Sequence, residues 1–239
     1  MSDRESQDQA LSRESWRLFR ILSEFVDGFE VMADVGPAVS VFGSARTQPE
    51  DPYYQQAVEC GKMIVERDLA VITGGGPGIM EAANKGAFES GVEAAKSVGL
   101  NIDLPFEQQP NPYQNYELNF RYFFIRKVMF VKYAAGFIIF PGGFGTMDEL
   151  FESLTLIQTH KIDSFPVALV GVDYWEGLVD WIKTTMADKH KTISPGDLDL
   201  LILTDSLDEA VEHVVGHFDR EKWQSQVRPT IPGPRLDSC

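Results

Sequence analysis

Residues 136–149 read Gly-Phe-Ile-Ile-Phe-Pro-Gly-Gly-Phe-Gly-Thr-Met-Asp-Glu. The first five form a continuously apolar run, which suits a strand of a parallel sheet whose two faces are both covered by helices. Pro141-Gly142-Gly143 then breaks the run, and a helical pattern follows over Thr146–Thr159. The same order recurs on both sides. Strands are predicted at Ala38–Phe42, Leu69–Thr73, Lys96–Ile102, Gly136–Phe140, Val167–Val170 and Leu201–Leu203. Helical patterns fall at Tyr53–Arg67, Ile79–Ser90, Phe123–Tyr133, Thr146–Thr159, Tyr174–Met186 and Ser206–Val215. A repeating β-α order predicts an α/β, doubly wound, mainly parallel sheet with helices on both faces.

An N-terminal helix precedes this pattern. Between Leu11 and Asp34, residues Leu18, Leu22, Phe25, Phe29 and Met32 recur at spacings of four and three, and Trp16, Phe19 and Val26 widen that stripe. Such a helix either packs on the flank of its own domain or makes a subunit contact. The chain therefore divides into a helical extension (1–36), a nucleotide-binding catalytic domain (37–218) and a Pro-rich C-terminal segment (219–239). The end of that segment, RPTIPGPRLDSC, lacks periodicity and reads as a loose tail or a strap across a neighbour.

Composition narrows the function. The 239 residues carry 21 Lys+Arg against 36 Asp+Glu, a formal charge of −15, so the chain has no basic footprint for a nucleic-acid backbone. A small anion is still allowed, because backbone N–H groups and a few local cations suffice to hold one. Two cysteines, Cys60 and Cys239, make no disulfide framework and fit a reducing compartment. The polar first fifteen residues lack the apolar core of a signal peptide. The longest uncharged run, Tyr133–Met147, falls short of the roughly 20 apolar residues that span a bilayer. A cytoplasmic protein is expected.

Three strand ends run into small-residue turns: Gly43-Ser44-Ala45-Arg46, Gly74-Gly75-Gly76-Pro77-Gly78, and Pro141-Gly142-Gly143-Phe144-Gly145-Thr146. Ligands of open α/β sheets bind outside the carboxyl ends of strands, and helix N-termini there favour anions. Three such turns point to a phosphate-bearing ligand. No P-loop pattern occurs. The dinucleotide fingerprint also fails, since Gly76-x-Gly78 is followed by Glu81 and Gly143-x-Gly145 by Asp148 where Gly or Ala is needed. Glu81 is open to two readings, charge at a helix N-terminus or a ribose contact. Ser44 and Arg46 are open between a turn role and a ligand role. His213 and His217 stand four apart without a third ligand, so an exposed helix face is the expectation and no metal site is assigned.

The string PGGFGTMDE (Pro141–Glu149), preceded by Arg126-Lys127 and by GGGPGIMEAANKGA (Gly74–Ala87), closely resembles the LONELY GUY family of cytokinin riboside 5′-monophosphate phosphoribohydrolases, often mislabelled lysine decarboxylases. The resemblance runs from about Ala38 to Val215. It implies a Rossmann-like fold and no cofactor. It also implies hydrolysis of the N-glycosidic bond of AMP or N6-modified AMP to free base and ribose 5-phosphate. Arg126 and Glu149 match the catalytic pair. Gly142, Gly143, Gly145 and Thr146 match the phosphate-holding loop, with Phe144, Met147 and Asp148 in the same string. Lys127 and Thr155 match nucleotide contacts and Glu107 an acidic substrate contact; Gly75 and Gly76 are substrate-binding candidates from their place in the second strand-end turn. Family members are dimers with sites near the interface, so a homodimer or a larger even assembly is implied. A non-catalytic nucleotide sensor and a broad-specificity nucleoside-monophosphate nucleosidase are the alternatives.

The chemistry stands on its own terms as well. Breaking an N-glycosidic bond develops positive charge on the ribose and negative charge on the departing base. A carboxylate such as Glu149 would stabilise the first and position a water. An arginine such as Arg126 would orient the substrate or offset the second. A lysine for a pyridoxal phosphate Schiff base is not recognisable in the sequence, so the decarboxylase label finds no support there.

Overall fold

The computed structural model describes residues 2–104, 109–162, 165–216 and 218–227. Seven strands form one sheet: β1 (Ala38–Phe42), β2 (Ala70–Thr73), β3 (Ser97–Ile102), β4 (Tyr116–Phe120), β5 (Ala134–Ile139), β6 (Val167–Val170) and β7 (Leu201–Thr204). Their spatial order is β4-β3-β2-β1-β5-β6-β7, and every neighbouring pair is parallel. The chain winds outward in one direction from β1 to β4 and in the other from β5 to β7. This is the Rossmann-like doubly wound arrangement, and its winding reverses between β1 and β5.

Alternation along the central strands sorts the core into two layers. Ala38 and Phe42 of β1 and Phe137 and Ile139 of β5 face one layer. That layer is closed by α1 (Ser2–Val35), α4 (Phe123–Lys132), α5 (Phe144–Gln158) and α6 (Val172–Trp181). Val39 and Val41 of β1 and Ile138 and Phe140 of β5 face the other. There α2 (Pro52–Val65), α3 (Ile79–Phe88) and α7 (Leu207–Val215) complete the cover. Both faces of β1 and β5 are thus buried, which is why their sequences show no polar alternation. Cys60, on α2, is fully enclosed, and burial pushes its thiol up.

Four features depart from expectation. The strand β4 occupies the sheet edge and buries only Leu118 and Phe120, while Glu117 and Asn119 face out, so it lacks the apolar signature of its neighbours. The sixth helix ends at Trp181 and continues as a π-helical stretch, Ile182–Lys189. The segment after residue 218 opens with a short helix, α8 (Arg220–Val227); RPTIPGPRLDSC lies outside the described residues. Of the predicted α1 stripe, Phe25 and Met32 pack inward, in line with Ile21, Gly28 and Val35, whereas Leu18, Leu22 and Phe29 are exposed. Gly28 explains which side turns inward: a Cβ there would sit 2.7 Å from the Met129 methyl carbon, so the glycine lets α1 lie close on α4.

Candidate active site

The carboxyl ends of β1 and β5 lie side by side at the point where the winding reverses, the usual ligand position in open α/β sheets. Three turns are knit together there. The Ser44 N–H donates to the Pro141 carbonyl at 2.9 Å, and the Ile79 N–H donates to the Ser44 carbonyl at 3.0 Å. Gly78 has φ +70°, and a Cβ on it would meet the Ser44 carbonyl oxygen at 2.3 Å, so only glycine lets α3 start against this turn.

A cavity of about 660 Å³ opens above these turns. Ser44, Arg46, Gly74, Met80, Phe123, Arg126, the run Gly142–Glu149 and Tyr174 are among the residues that line it. The loop and first turn of α5 form one wall. Gly143 caps that helix, and the first bond back into it runs from the Met147 N–H to the Gly143 carbonyl. The N–H groups ahead of Met147 have no partner within the helix, which leaves them to a ligand and makes this wall suited to an anion. Thr146 is buried beneath it. The Tyr174 hydroxyl donates to the Gly142 carbonyl at 2.5 Å and so pins the loop from α6.

Arg126 and Glu149 face each other's charge across the same cavity. Glu149 is only 5% exposed, and its Oε2 has no hydrogen-bond partner among the described residues. Burial pushes its carboxyl up to about 7, although Lys127 and Arg126 pull it down. Such a value suits a group asked to gain or lose a proton near neutrality. Burial likewise lowers the Arg126 guanidinium from its ordinary value, partly offset by Glu149 and Asp148. Arg126 lies over the rings of Phe130 (5.3 Å) and Phe123 (5.5 Å), and its Nε is also without a partner. A buried carboxylate and a half-buried guanidinium with an enclosed Nε, both under-satisfied and of opposite charge in one cleft, are a costly arrangement for stability alone.

The structure divides the residues predicted from sequence. Arg126, Glu149, Gly142, Gly143, Phe144, Gly145, Thr146, Met147, Asp148 and Ser44 come together at the cavity. Phe144 stands at its mouth, 95% exposed. Lys127, Thr155, Gly75, Gly76 and Glu81 do not line it. Lys127 turns toward α5, and Thr155 is exposed and bonded to the Phe151 carbonyl one turn back. Gly75 and Gly76 are held from behind by Asn111 and Gln114, whose side chains donate to their carbonyls. Glu81 accepts a hydrogen bond from the Tyr54 hydroxyl at 2.9 Å. Glu107 and His217 lie outside the described residues. Among the described residues no group of three or more His, Cys, Asp or Glu side chains is placed to hold a metal.

Several lining residues were not assigned from sequence, among them Met80, Phe123, Phe130 and Tyr174, and Arg46 was left open between a turn and a ligand role. Arg46 could have been found, because it closes the first small-residue turn. Tyr174 follows β6, the neighbour of β5, and becomes visible only once the strand order is known.

The cavity sets a glycine-loop helix N-terminus, an arrangement suited to an anion, beside the buried Glu149 carboxylate and the half-buried Arg126 of a doubly wound α/β protein. A family model described as "Possible lysine decarboxylase" matches residues 80–214, more than half of the chain, and the chain belongs to that family. It is 31% identical over 149 residues to a pyrimidine/purine nucleotide 5′-monophosphate nucleosidase of Escherichia coli (strain K12), covering 58% of this chain and 33% of that protein. The match thus spans only a third of that relative's length. A cytokinin riboside 5′-monophosphate phosphoribohydrolase of Arabidopsis thaliana is 25% identical over 186 residues, 77% of this chain and 85% of that one. The fold is shared with a molybdenum cofactor binding protein from Rippkaea orientalis (TM-score 0.53, 19% identity, 74% and 94% of the two chains). It is also shared with a molybdenum cofactor carrier protein from Chlamydomonas reinhardtii (TM-score 0.52, 21% identity, 76% and 98%). Among the described residues no helix is long and apolar enough to cross a membrane.

Proposed function

We propose that this chain hydrolyses the N-glycosidic bond of a nucleoside 5′-monophosphate, AMP or N6-modified AMP, releasing free base and ribose 5-phosphate. The observation that carries the reading is the pairing of a buried, unmet carboxylate oxygen on Glu149 with the half-buried Arg126, whose Nε is enclosed and unmet, beside a helix start suited to an anion. The 5′-phosphate sits on the Gly142–Thr146 loop, and Arg46 supplies the nearby positive charge. Anchoring at that end lets remote binding energy orient the sugar at the reacting centre. Glu149 stabilises the positive charge that grows on the ribose and holds a water for the anomeric carbon. Arg126 meets the negative charge that leaves with the base.

Of the two further readings, one has an observation behind it. The similarity to the E. coli nucleosidase supports a base-tolerant version of the same reaction. A non-catalytic sensor would need the phosphate loop but not the costly Arg126–Glu149 pair, so the geometry favours an enzyme. The formal charge of −15 supports a nucleotide ligand over a nucleic acid. The reaction is assigned to the cytoplasm and to a homodimer or larger even assembly whose interface lies beside the site.

The test is to incubate the protein with a panel of nucleoside monophosphates and the matching nucleosides and to follow free base by chromatography. AMP is expected to be cleaved and adenosine not, because the loop holds the phosphate. Equal turnover of adenosine would contradict the role of Gly142–Thr146.

A further inference from the structure

Lys127 sits beside the proposed catalytic pair without lining the cavity. Its side chain is 16% exposed and its ammonium meets three carboxylates of α5. Asp148 Oδ2 lies at 2.8 Å, Glu152 Oε2 makes a direct hydrogen bond, and Glu149 Oε1 lies at 3.8 Å. An ammonium has three N–H donors and no acceptor. Here all of its charge is turned toward one helix face, which leaves little of it for a nucleotide. Glu149 is correspondingly asymmetric: Oε1 faces Lys127, whereas Oε2 is enclosed and unmet.

We propose that Lys127 is a positioning residue that tethers Oε1 of Glu149 from behind, leaves Oε2 to the reacting sugar or its water, and favours the carboxylate form that the reaction needs. The inference rests on the function proposed above. Every charged or titratable group facing Glu149 bears on it. From α4 come Arg126 and Lys127, and from α5 come Asp148 and Glu152; Arg46 and Tyr174 line the same cavity, the Tyr174 hydroxyl bonded to the Gly142 carbonyl. Burial raises the Glu149 carboxyl most, and Lys127 is the largest influence in the other direction, ahead of Arg126. Removing Lys127 would leave three carboxylates within two turns of one helix, and like charges disfavour one another's ionisation. Removing Glu152 would do the reverse, taking away a like charge and a competitor for the ammonium.

The experiment is a pair of opposite shifts. The Glu149 side-chain carboxyl is titrated by carbon-13 NMR, its signal assigned by its loss in Glu149→Gln, alongside the pH profile of kcat/KM for AMP. Lys127→Met should move the Glu149 midpoint and the acidic limb of the profile upward by about one pH unit or more, the scale of one close opposite charge. Lys127→Arg should restore both. Glu152→Gln, at a half-exposed position that folding tolerates, should move the midpoint down. Unmoved midpoints in both Lys127→Met and Glu152→Gln overturn the proposal. So does a Lys127→Met variant whose only defect is a KM raised equally at every pH, since that is the mark of a direct nucleotide contact. Should Lys127→Met not fold, the sign of the Glu152→Gln shift decides alone. The NMR titration needs no turnover, so a protein that cleaves no monophosphate would sink the functional reading and still leave the role of Lys127 to be read.

Discussion

At the scale of single residues, Glu149 makes a claim about stability as well as catalysis. Its native carboxyl holds its proton up to about pH 7, whereas the ordinary value is 4.5. Between those values the native state binds more protons than the unfolded one, so this group erodes stability as pH rises through the window. Glu149→Gln, which cannot ionise, should therefore melt higher than the natural protein at pH 8, by up to about 3 kcal/mol, and no differently below pH 4.5. Thermal unfolding at the two pH values checks it. A Gln variant less stable at pH 8 but unchanged below pH 4.5 would mean that Arg126 and Lys127 outweigh burial. The presence of this pair was legible in sequence because Arg126 and Glu149 stand in an ordered motif. The role of Lys127 was not, because its three partners lie on α5 and only the packing of α4 on α5 brings them to it.

At the scale of elements, the loop before α5 is shaped by close contact. A Cβ on Gly142 would meet the Thr146 hydroxyl at 2.1 Å, while one on Gly143 would meet nothing within 4 Å. Gly142→Ala should then cost about 1–3 kcal/mol, as overpacking does, and Gly143→Ala less. Gly142→Ala should also raise KM for AMP by on the order of tenfold, equivalent to about 1.4 kcal/mol of binding. Denaturant unfolding and steady-state kinetics on the two variants make the comparison, and equal behaviour would refute it. Most elements were legible because β1, β2, β5 and β6 are buried on both faces and their turns carry glycine. The edge strand β4 was not, since Glu117 and Asn119 interrupt its apolar run and pairing with β3 alone makes it a strand. The heptad-like spacing in α1 was legible, but not which side of so broad an apolar surface would face the core; Gly28 against Met129 settles that.

At the scale of the whole molecule, the apolar surface left in solvent is the outstanding feature. On α1, Trp16, Leu18, Phe19, Leu22 and Val26 are all more than half exposed, and on α4 so are nearly half of Phe123 and Phe124. The apolar residues around α4 predict burial on every side, yet within one chain only Ile125, Met129 and Phe130 are buried. We propose that exposed apolar surface of this extent on a protein of charge −15 is covered by a second copy of the chain. A symmetric pair is the commonest solution. Light scattering should give at least twice 26.8 kDa, and a fully active monomer at micromolar concentration would contradict it. The central claim, that the cavity between β1 and β5 breaks an N-glycosidic bond with Arg126 and Glu149, is tested most directly by product analysis. AMP is incubated with the natural protein, Glu149→Gln and Arg126→Ala, and adenine and ribose 5-phosphate are both quantified. Equal amounts of the two products from the natural protein, falling by roughly 100-fold or more in each folded variant, are predicted on the scale of one lost electrostatic stabiliser. Adenosine and inorganic phosphate as products, or a folded Glu149→Gln variant working at a near-normal rate, would contradict the claim.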